Sequence, residues 1–453
     1  MEGAIYRTIW RWHFYAGLFV MPMILILSVT GAFYLWKPQI DRWEERAFRN
    51  LPVAGAVAPS VQRTAALAAY PGSVMASFRL PERPGDAAMV HLALADRQGM
   101  RDVFVSPQGK VLGTLDPDRR LTAVDQKLHG QLLVGKTGSW LVELAASWAI
   151  VMIATGLWLW WPRGRSIAGV LWPRLHLRGR PLWRDLHAVT GFWVSSLALV
   201  LLFTGLPWAD VWGNAFKAIR AEMGMVKGRQ DWTLGGKAPV PDAAEDTQHL
   251  GHDHAAMMAM EGMAMPMPGS SPEAALFDLV VGKAQGEGLA FPVLIEPPRG
   301  PQGTWTAKSD SQNRPLRATI RYDGSSGLEV SRDGFAEKHV LDRVVGYGIA
   351  WHEGQLFGVV NQLIGTITAL ALMVLSLSGF IMWRRRKPDH LLGAPPRPAR
   401  SRMPVGLRLI FGFFLLWLPL FTASLAMLWL FDRLALPRMP RLARWLGVSV
   451  ATA

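Results

Sequence analysis

The chain has 453 residues, with 48 Lys and Arg against 34 Asp and Glu, and no cysteine. The lack of cysteine excludes a disulfide framework, thiolate zinc sites, iron–sulfur clusters, cysteine nucleophiles and covalently attached haem. Half of the residues are hydrophobic, too many for a disordered chain, and the charge of +14 lies beside apolar runs, which argues against a nucleic-acid partner.

Five stretches approach the roughly 20 apolar residues that a helix needs to cross a hydrocarbon core about 30 Å thick. They are Phe14–Trp36, Trp140–Trp161, Leu186–Trp208, Val359–Trp383 and Leu407–Phe431. Tryptophan outnumbers tyrosine, 21 to 6, and Trp10, Trp12, Trp36, Trp160, Trp161 and Trp383 flank the runs, as rings at the membrane–water boundary do. The first run is too long for a signal-peptide core and no small-residue cleavage site follows it, so a retained helix is expected.

Short loops rich in Lys and Arg stay in the cytoplasm. Arg7 and Arg11 precede the first span, six arginines lie between Arg163 and Arg184, and Arg384, Arg385, Arg386 and Lys387 end the fourth. The N-terminus (1–36 with the first span) is therefore expected inside, as are loops 162–185 and 384–406. Segments 37–138 and 209–355 are expected outside, in the periplasm of a Gram-negative cell, so the lipid bilayer is the bacterial inner membrane. A fifth span over 407–431 would put the tail 432–453, with Arg433, Arg438, Arg441 and Arg444, on the outer side, against the same rule.

Each outer segment begins helix-like, at Val61–Ala69 and Pro272–Ala284, and then turns strand-like. Arg101–Val105 and Lys110–Leu115 flank a Ser-Pro-Gln-Gly turn, and Leu316–Tyr322 and Leu328–Ser331 flank Asp323–Gly327; both read as hairpins. The expected fold is an α-helical polytopic membrane bundle carrying two α+β domains, one in 37–138 and one in 209–355.

The chain repeats itself. His13, Gly17 and Thr30-Gly31 recur at the same offsets as His187, Gly191 and Thr204-Gly205. His129 with Thr155-Gly156 recurs as His352 with Ser378-Gly379. Two span–outer domain–span units that both start and end inside are parallel repeats about an axis along the membrane normal, and the fifth span lies outside them. The repeat places His13 and His187 near the inner ends of spans one and three, and His129 and His352 just outside spans two and four.

Ionisable groups at such positions are functional candidates. Haem b suits each pair, because it needs no cysteine and two imidazoles on facing helices can hold its iron. One haem near each face would make an electron path across the membrane. Repeats also duplicate structural residues, so the spacing leaves snorkelling polar histidines open, and the Thr/Ser–Gly motifs open as close-packing devices. Glu143 near the outer end of span two fits a proton path or a plain interfacial carboxylate. His352-Glu353 begins like a zinc HExxH, but Leu356 stands where the second histidine belongs.

Between 249 and 267 stand His249, His252, His254, Met257, Met258, Met260, Met263, Met265 and Met267. Thioethers select Cu(I) and imidazoles accept Cu(II), so this tract is a candidate copper site. A biased linker without function fits the same composition.

Residues 10–36, 128–163, 183–208 and 351–386, with the four His and Thr/Ser–Gly motifs above and the run Thr155-Gly-Leu-Trp-Leu-Trp-Trp-Pro-Arg163, resemble the PepSY-associated transmembrane family over about residues 5–390. The resemblance implies PepSY-like outer domains and His13, His187, His129 and His352 as ligands of two bis-histidine haems b. It also implies a ferric-siderophore reductase of the inner membrane, taking electrons from a quinol or other inner-face donor to a periplasmic ferric siderophore or metal chelate. Ser378 in place of the usual Thr and the Met/His tract depart from the family pattern. The tract keeps copper handling open as an alternative, beside a non-enzymatic PepSY scaffold that binds a periplasmic partner.

Overall fold

The computed structural model describes residues 2–95, 99–162, 168–226, 271–300, 303–395 and 404–448. They fall into two compact units. In chain order the helices used below are α1 (Glu2–Tyr34), α2 (Lys37–Glu44), α3 (Pro59–Ala69), α4 (Leu121–Gln131), α5 (Lys136–Trp160), α6 (Arg180–Gly205), α7 (Asp210–Glu222), α8 (Pro272–Gly286), α9 (Val340–His352), α10 (Val359–Arg386), α11 (Val405–Trp417), α12 (Pro419–Leu430) and α13 (Pro440–Trp445). The strands are β1 (Val74–Arg79), β2 (Ala88–Ala93), β3 (Met100–Val105), β4 (Val111–Leu115), β5 (Val293–Glu296), β6 (Thr304–Ser309), β7 (Ala318–Asp323) and β8 (Glu329–Gly334).

The helical unit comprises Met1–Leu35, Asp125–Lys217 and Val359–Ala453. Among the described residues five helices are long and apolar enough to cross a membrane: Gly3–Tyr34, Lys136–Trp160, Arg180–Trp208, Val359–Arg386 and Pro419–Arg438. α1 packs on α5 and α10, and α6 packs on the same two helices. The four repeat-related helices therefore close a ring, with α1 facing α6 and α5 facing α10.

The fifth span departs from its expected course over Leu407–Phe431. The helix stops at Trp417, Leu418 leaves helical geometry (φ −116°, ψ 87°), and Pro419 starts a new helix, because proline cannot continue the preceding hydrogen-bond ladder. The rings of Phe411 and Phe421 lie 6.0 Å apart, whereas ten residues of continuous helix would separate them by about 15 Å. The chain thus reverses, and α11 with α12 forms a hairpin. Its tip is not exposed backbone: Leu418 is buried with Phe421, Ile150, Val151 and Leu206, and Trp212 donates its indole N–H to the Trp417 carbonyl at 3.1 Å. Irregular backbone at membrane depth survives only where protein covers it. The hairpin returns the tail to the end of the bundle that carries Arg11, so Arg433, Arg438, Arg441 and Arg444 do not break the charge rule.

The second unit comprises Trp36–Val124 and Ala218–Gly358. Both expected hairpins are present, as β3–β4 and β7–β8, and both expected helices, as α3 and α8. Ser271 caps α8, its hydroxyl accepting the Ala274 N–H at 3.1 Å with Pro272 at the first turn, an arrangement that satisfies one orphan donor. The two segments do not, however, build one domain each. β1 pairs antiparallel with β5 through Phe78↔Ile295 and Arg79↔Leu294, giving one eight-stranded antiparallel sheet in the order β4-β3-β2-β1-β5-β6-β7-β8. Each four-stranded module would leave β1 or β5 as a bare edge, and pairing the two edges removes that liability.

Alternation along the strands explains the single core. Val90 and Leu92, Val103 and Val105, Ile295, Trp305 and Ala307, and Ile320 and Tyr322 point to one face and pack with Phe78, Phe277 and Val280 in one cluster. α3 and α8 lie on that face, joined by Ser60, whose N–H and hydroxyl both donate to Asp278 at 2.7 Å. On the other face Glu45 is buried among Arg79, which it meets through two hydrogen bonds (3.0 and 2.8 Å), and Arg120 (2.8 Å). Burial alone would raise the Glu45 carboxyl, and the two guanidinium groups outweigh it and hold the carboxyl below its ordinary value.

Candidate functional site

His13 sits on α1 and His187 on α6, the two helices that face each other across the ring. Their imidazole centres are 6.5 Å apart and their planes cross at 87°. Collinear metal–imidazole bonds of about 2 Å, with the ring radius added at each side, separate two ring centres by about 6 Å. The repeat predicts this pairing, and the bundle brings the two residues together.

Each ring is fixed from the side by the helix that follows it in its own repeat. His13 Nδ1 lies 3.0 Å from Thr155 Oγ1 on α5. His187 Nδ1 lies 2.9 Å from the Leu375 carbonyl oxygen and 3.2 Å from Ser378 Oγ on α10. Glycine makes the room: a Cβ on Gly156 would stand 3.2 Å from His13 Cε1, and one on Gly379 would stand 3.3 Å from His187 Cε1. His129, near the end of α4, repeats the arrangement at the other end of α1, with Nδ1 2.8 Å from Thr30 Oγ1 and Cε1 3.2 Å from where a Gly31 Cβ would be. Thr204 is the counterpart of Thr30 in the second repeat, and it holds its hydroxyl in the same way, on the Val200 carbonyl at 2.7 Å. His352 is the last residue of α9 and belongs to the sheet-containing unit.

The residues at the facing pair fit haem b. The donors are imidazoles, the ligand type that bis-histidine haem iron takes; Gly156 and Gly379 admit the rings, while Gly17 and Gly191 pack against Met152 and Leu375. Arg386 stacks its guanidinium over Trp10 and Phe14, 5.1 and 4.9 Å from the ring centres, and so keeps a positive group beside the turn that holds His13. Asp185, fully buried two residues before His187, ties the preceding loop down by accepting from Arg174 at 2.7 and 3.1 Å and from Arg184 at 3.1 Å.

Glu143 is not placed as a proton carrier. Its two carboxylate oxygens accept the backbone N–H groups of Val211 and Trp212 at 2.8 and 2.9 Å, which caps the first turn of α7. Asp125 stands one helical turn before His129 on α4, and burial pushes its carboxyl up to about 6. The candidate copper residues His249, His252, His254, Met257, Met258, Met260, Met263, Met265 and Met267 lie outside the described residues. Among the described residues no group of three His, Asp or Glu side chains could hold a metal ion.

What sequence reasoning missed was the work of the Thr/Ser–Gly motifs. Left open there as packing devices, three of them are partners of His13, His129 and His187: the hydroxyl meets Nδ1 and the glycine admits the ring. The signal was there, since a hydroxyl and a glycine recur at fixed offsets from the imidazoles in both repeats.

No curated protein matches the chain. The family model described as PepSY-associated TM region matches residues 10–386, a stretch that includes His13, His129, His187 and His352, the hydroxyl partners of the first three, and the ring helices α5, α6 and α10 with α1 from Trp10 onward. The chain therefore belongs to the PepSY-associated TM region family of membrane proteins.

Proposed function

We propose that this protein is a haem b protein of the bacterial inner membrane that passes electrons from a cytoplasmic-face donor, such as a quinol, to a ferric siderophore or similar chelate in the periplasm. The observation that supports the reading is the facing of His13 and His187 at 6.5 Å, each imidazole held by a neighbouring helix. Haem b, when bound, supplies a one-electron carrier whose potential follows from its axial ligands and its burial. The chain's own part is to supply the ligand imidazoles, His13 facing His187, with the sequence repeat naming His129 and His352 as the second pair. A ferric ion takes one electron and becomes ferrous, and the softer ion is held less firmly by hard oxygen donors, so iron leaves the chelate.

Purified protein from haem-replete cells should be red, carry about two haems per chain and show a Soret band that shifts on dithionite reduction. His13→Ala and His187→Ala should each remove the same haem and spare the other. Colourless protein would end the reading. If it retained copper, metal handling by the Met/His tract would replace it; if it held no metal, a regulatory scaffold would. Loss of different haems in the two variants would overturn the paired-ligand geometry.

A further inference from the structure

The hydroxyl beside His13, His129 and His187 does more than fill space. Thr155 Oγ1 lies 3.0 Å from the Met152 carbonyl, to which its hydrogen is directed. With the hydrogen so placed, the same oxygen accepts from His13 and Nδ1 carries the proton. Thr30 repeats the logic: it donates to the Ile26 carbonyl at 2.8 Å and accepts from His129 Nδ1 at 2.8 Å. At His187 the case is direct, because one partner of Nδ1 is the Leu375 carbonyl oxygen at 2.9 Å, which has no hydrogen to give. Ser378 donates to that same carbonyl at 2.9 Å. These partners favour the proton on Nδ1 and the lone pair on Nε2 in all three rings.

We propose that Thr155, Thr30 and Ser378 are positioning residues that lock their histidines in the Nδ1–H tautomer, so that Nε2 is presented as a ready ligand. This inference rests on the haem reading for the use of Nε2, and on the hydrogen-bond directions alone for the tautomer. An acceptor on the far nitrogen orients the imidazole and makes it a stronger donor to a metal, and loss of such a partner costs about 10–100-fold in affinity. The two repeats differ in one respect that sharpens the test. The Met152 carbonyl acts on His13 as well, but the direct partner of its Nδ1 is the Thr155 hydroxyl, whereas at His187 the Leu375 carbonyl is itself within hydrogen-bond distance whatever stands at 378. Thr155→Val removes the hydroxyl and preserves shape; Ser378→Ala leaves the Leu375 carbonyl in place.

The test uses full-length protein in lipid, labelled with 15N-histidine and prepared without haem, and reads ring tautomers by solid-state NMR, with His13→Ala, His129→Ala and His187→Ala assigning the signals. The expected result is Nδ1–H at all three rings in the parent, loss of the locked form at His13 in Thr155→Val, its return in Thr155→Ser, and no change at His187 in Ser378→Ala. Loading with haem should then give dissociation about 10–100-fold faster in Thr155→Val, with an altered low-spin ferric EPR spectrum, and near-parent behaviour in Ser378→Ala. An Nε2–H signal at His13 in the parent, or a locked His13 in Thr155→Val, would overturn the proposal. Parent protein that shows the tautomers but takes up no haem would overturn the haem reading and, with it, the purpose assigned to the lock; the two failures are thus read from different spectra.

Discussion

Arg11 donates from Nη2 to the carbonyl oxygen of Gly447 at 3.0 Å. A residue near the start of the first helix therefore binds one near the end of the chain. Tyr15 hydroxyl donates to Leu446 carbonyl oxygen at 2.5 Å, and Leu392 N–H to the Trp445 carbonyl at 3.0 Å, so α13 is stitched to the end of the bundle where α1 begins and α10 ends. Only a chain that turns back at Leu418 can reach it.

The hairpin makes a topological prediction that the cysteine-free chain renders simple to check. Asp389→Cys and Arg441→Cys should react with a membrane-impermeant maleimide from the same side of sealed vesicles, and Val134→Cys from the opposite side. All three positions are exposed. Reaction of Arg441→Cys together with Val134→Cys would restore a fifth crossing and refute the reversal.

Glu143 offers a way to separate a cap from a proton carrier. In Glu143→Ala two backbone N–H groups at the start of α7 lose their acceptors, and each buried orphan costs about 1–3 kcal/mol. Thermal unfolding in detergent should drop by several degrees, with Glu143→Gln intermediate because the amide keeps one acceptor oxygen. On the proposed haem reading, the dithionite-reduced protein should reoxidise at the parent rate in Glu143→Gln. A stable Glu143→Gln protein with stalled electron transfer would return the carboxylate to a proton path.

Asp125 predicts a pH dependence with a definite sign. Burial raises its carboxyl from 3.8 in the unfolded chain to about 6 in the fold, so the folded state favours the neutral acid. The stabilisation from proton binding is complete below the unfolded value and is lost as pH rises through about 6. Asp125→Asn should therefore be more stable than the parent at pH 7–8, and the difference should shrink as pH falls toward 4. The group is half-exposed, which reduces the size of the effect and leaves its direction. Denaturation midpoints of the two proteins across pH 4–8 decide it, and a gap that widens on acidification would be the wrong sign.

The sequence showed the repeat, its four membrane-spanning helices and the facing of His13 with His187, because each of these is written in spacing. Identical offsets in two copies demand equivalent places, and equivalent places about an axis demand that like residues meet. Val90, Leu92, Val103 and Val105 likewise announced a buried strand face by alternation. Three things were hidden for physical reasons. Edge pairing of β1 with β5 joins residues more than 200 positions apart through backbone hydrogen bonds, which carry no side-chain signature. The break at Leu418-Pro419 falls inside an apolar run whose hydrophobicity is the same for a crossing and for a hairpin. The direction of the Thr155 hydroxyl depends on where the Met152 carbonyl lies, and that becomes determinate only once α5 is built.

Glycine at the histidines gives the most direct mutational handle on the two ends separately. A Cβ on Gly156 would sit 3.2 Å from His13 Cε1, and one on Gly31 would sit 3.2 Å from His129 Cε1. Neither ring can retreat without giving up its hydrogen bond to Thr155 or Thr30. Two further methyl groups on that Cβ make the conflict unavoidable, since close-packed interiors absorb extra volume only at a cost of about 1–3 kcal/mol. On the proposed haem reading, Gly156→Val should therefore lose the haem assigned to His13 and His187 and keep the other, and Gly31→Val should do the reverse. Gly412→Val is the control, because nothing lies within 4 Å of a Cβ there, and it should keep both. Pyridine haemochrome content and the reduced spectra of the three proteins give the answer. If Gly156→Val and Gly31→Val both removed the same half of the absorbance, the two histidine sites would belong to one haem, and a path with a carrier near each face would have no support in this bundle.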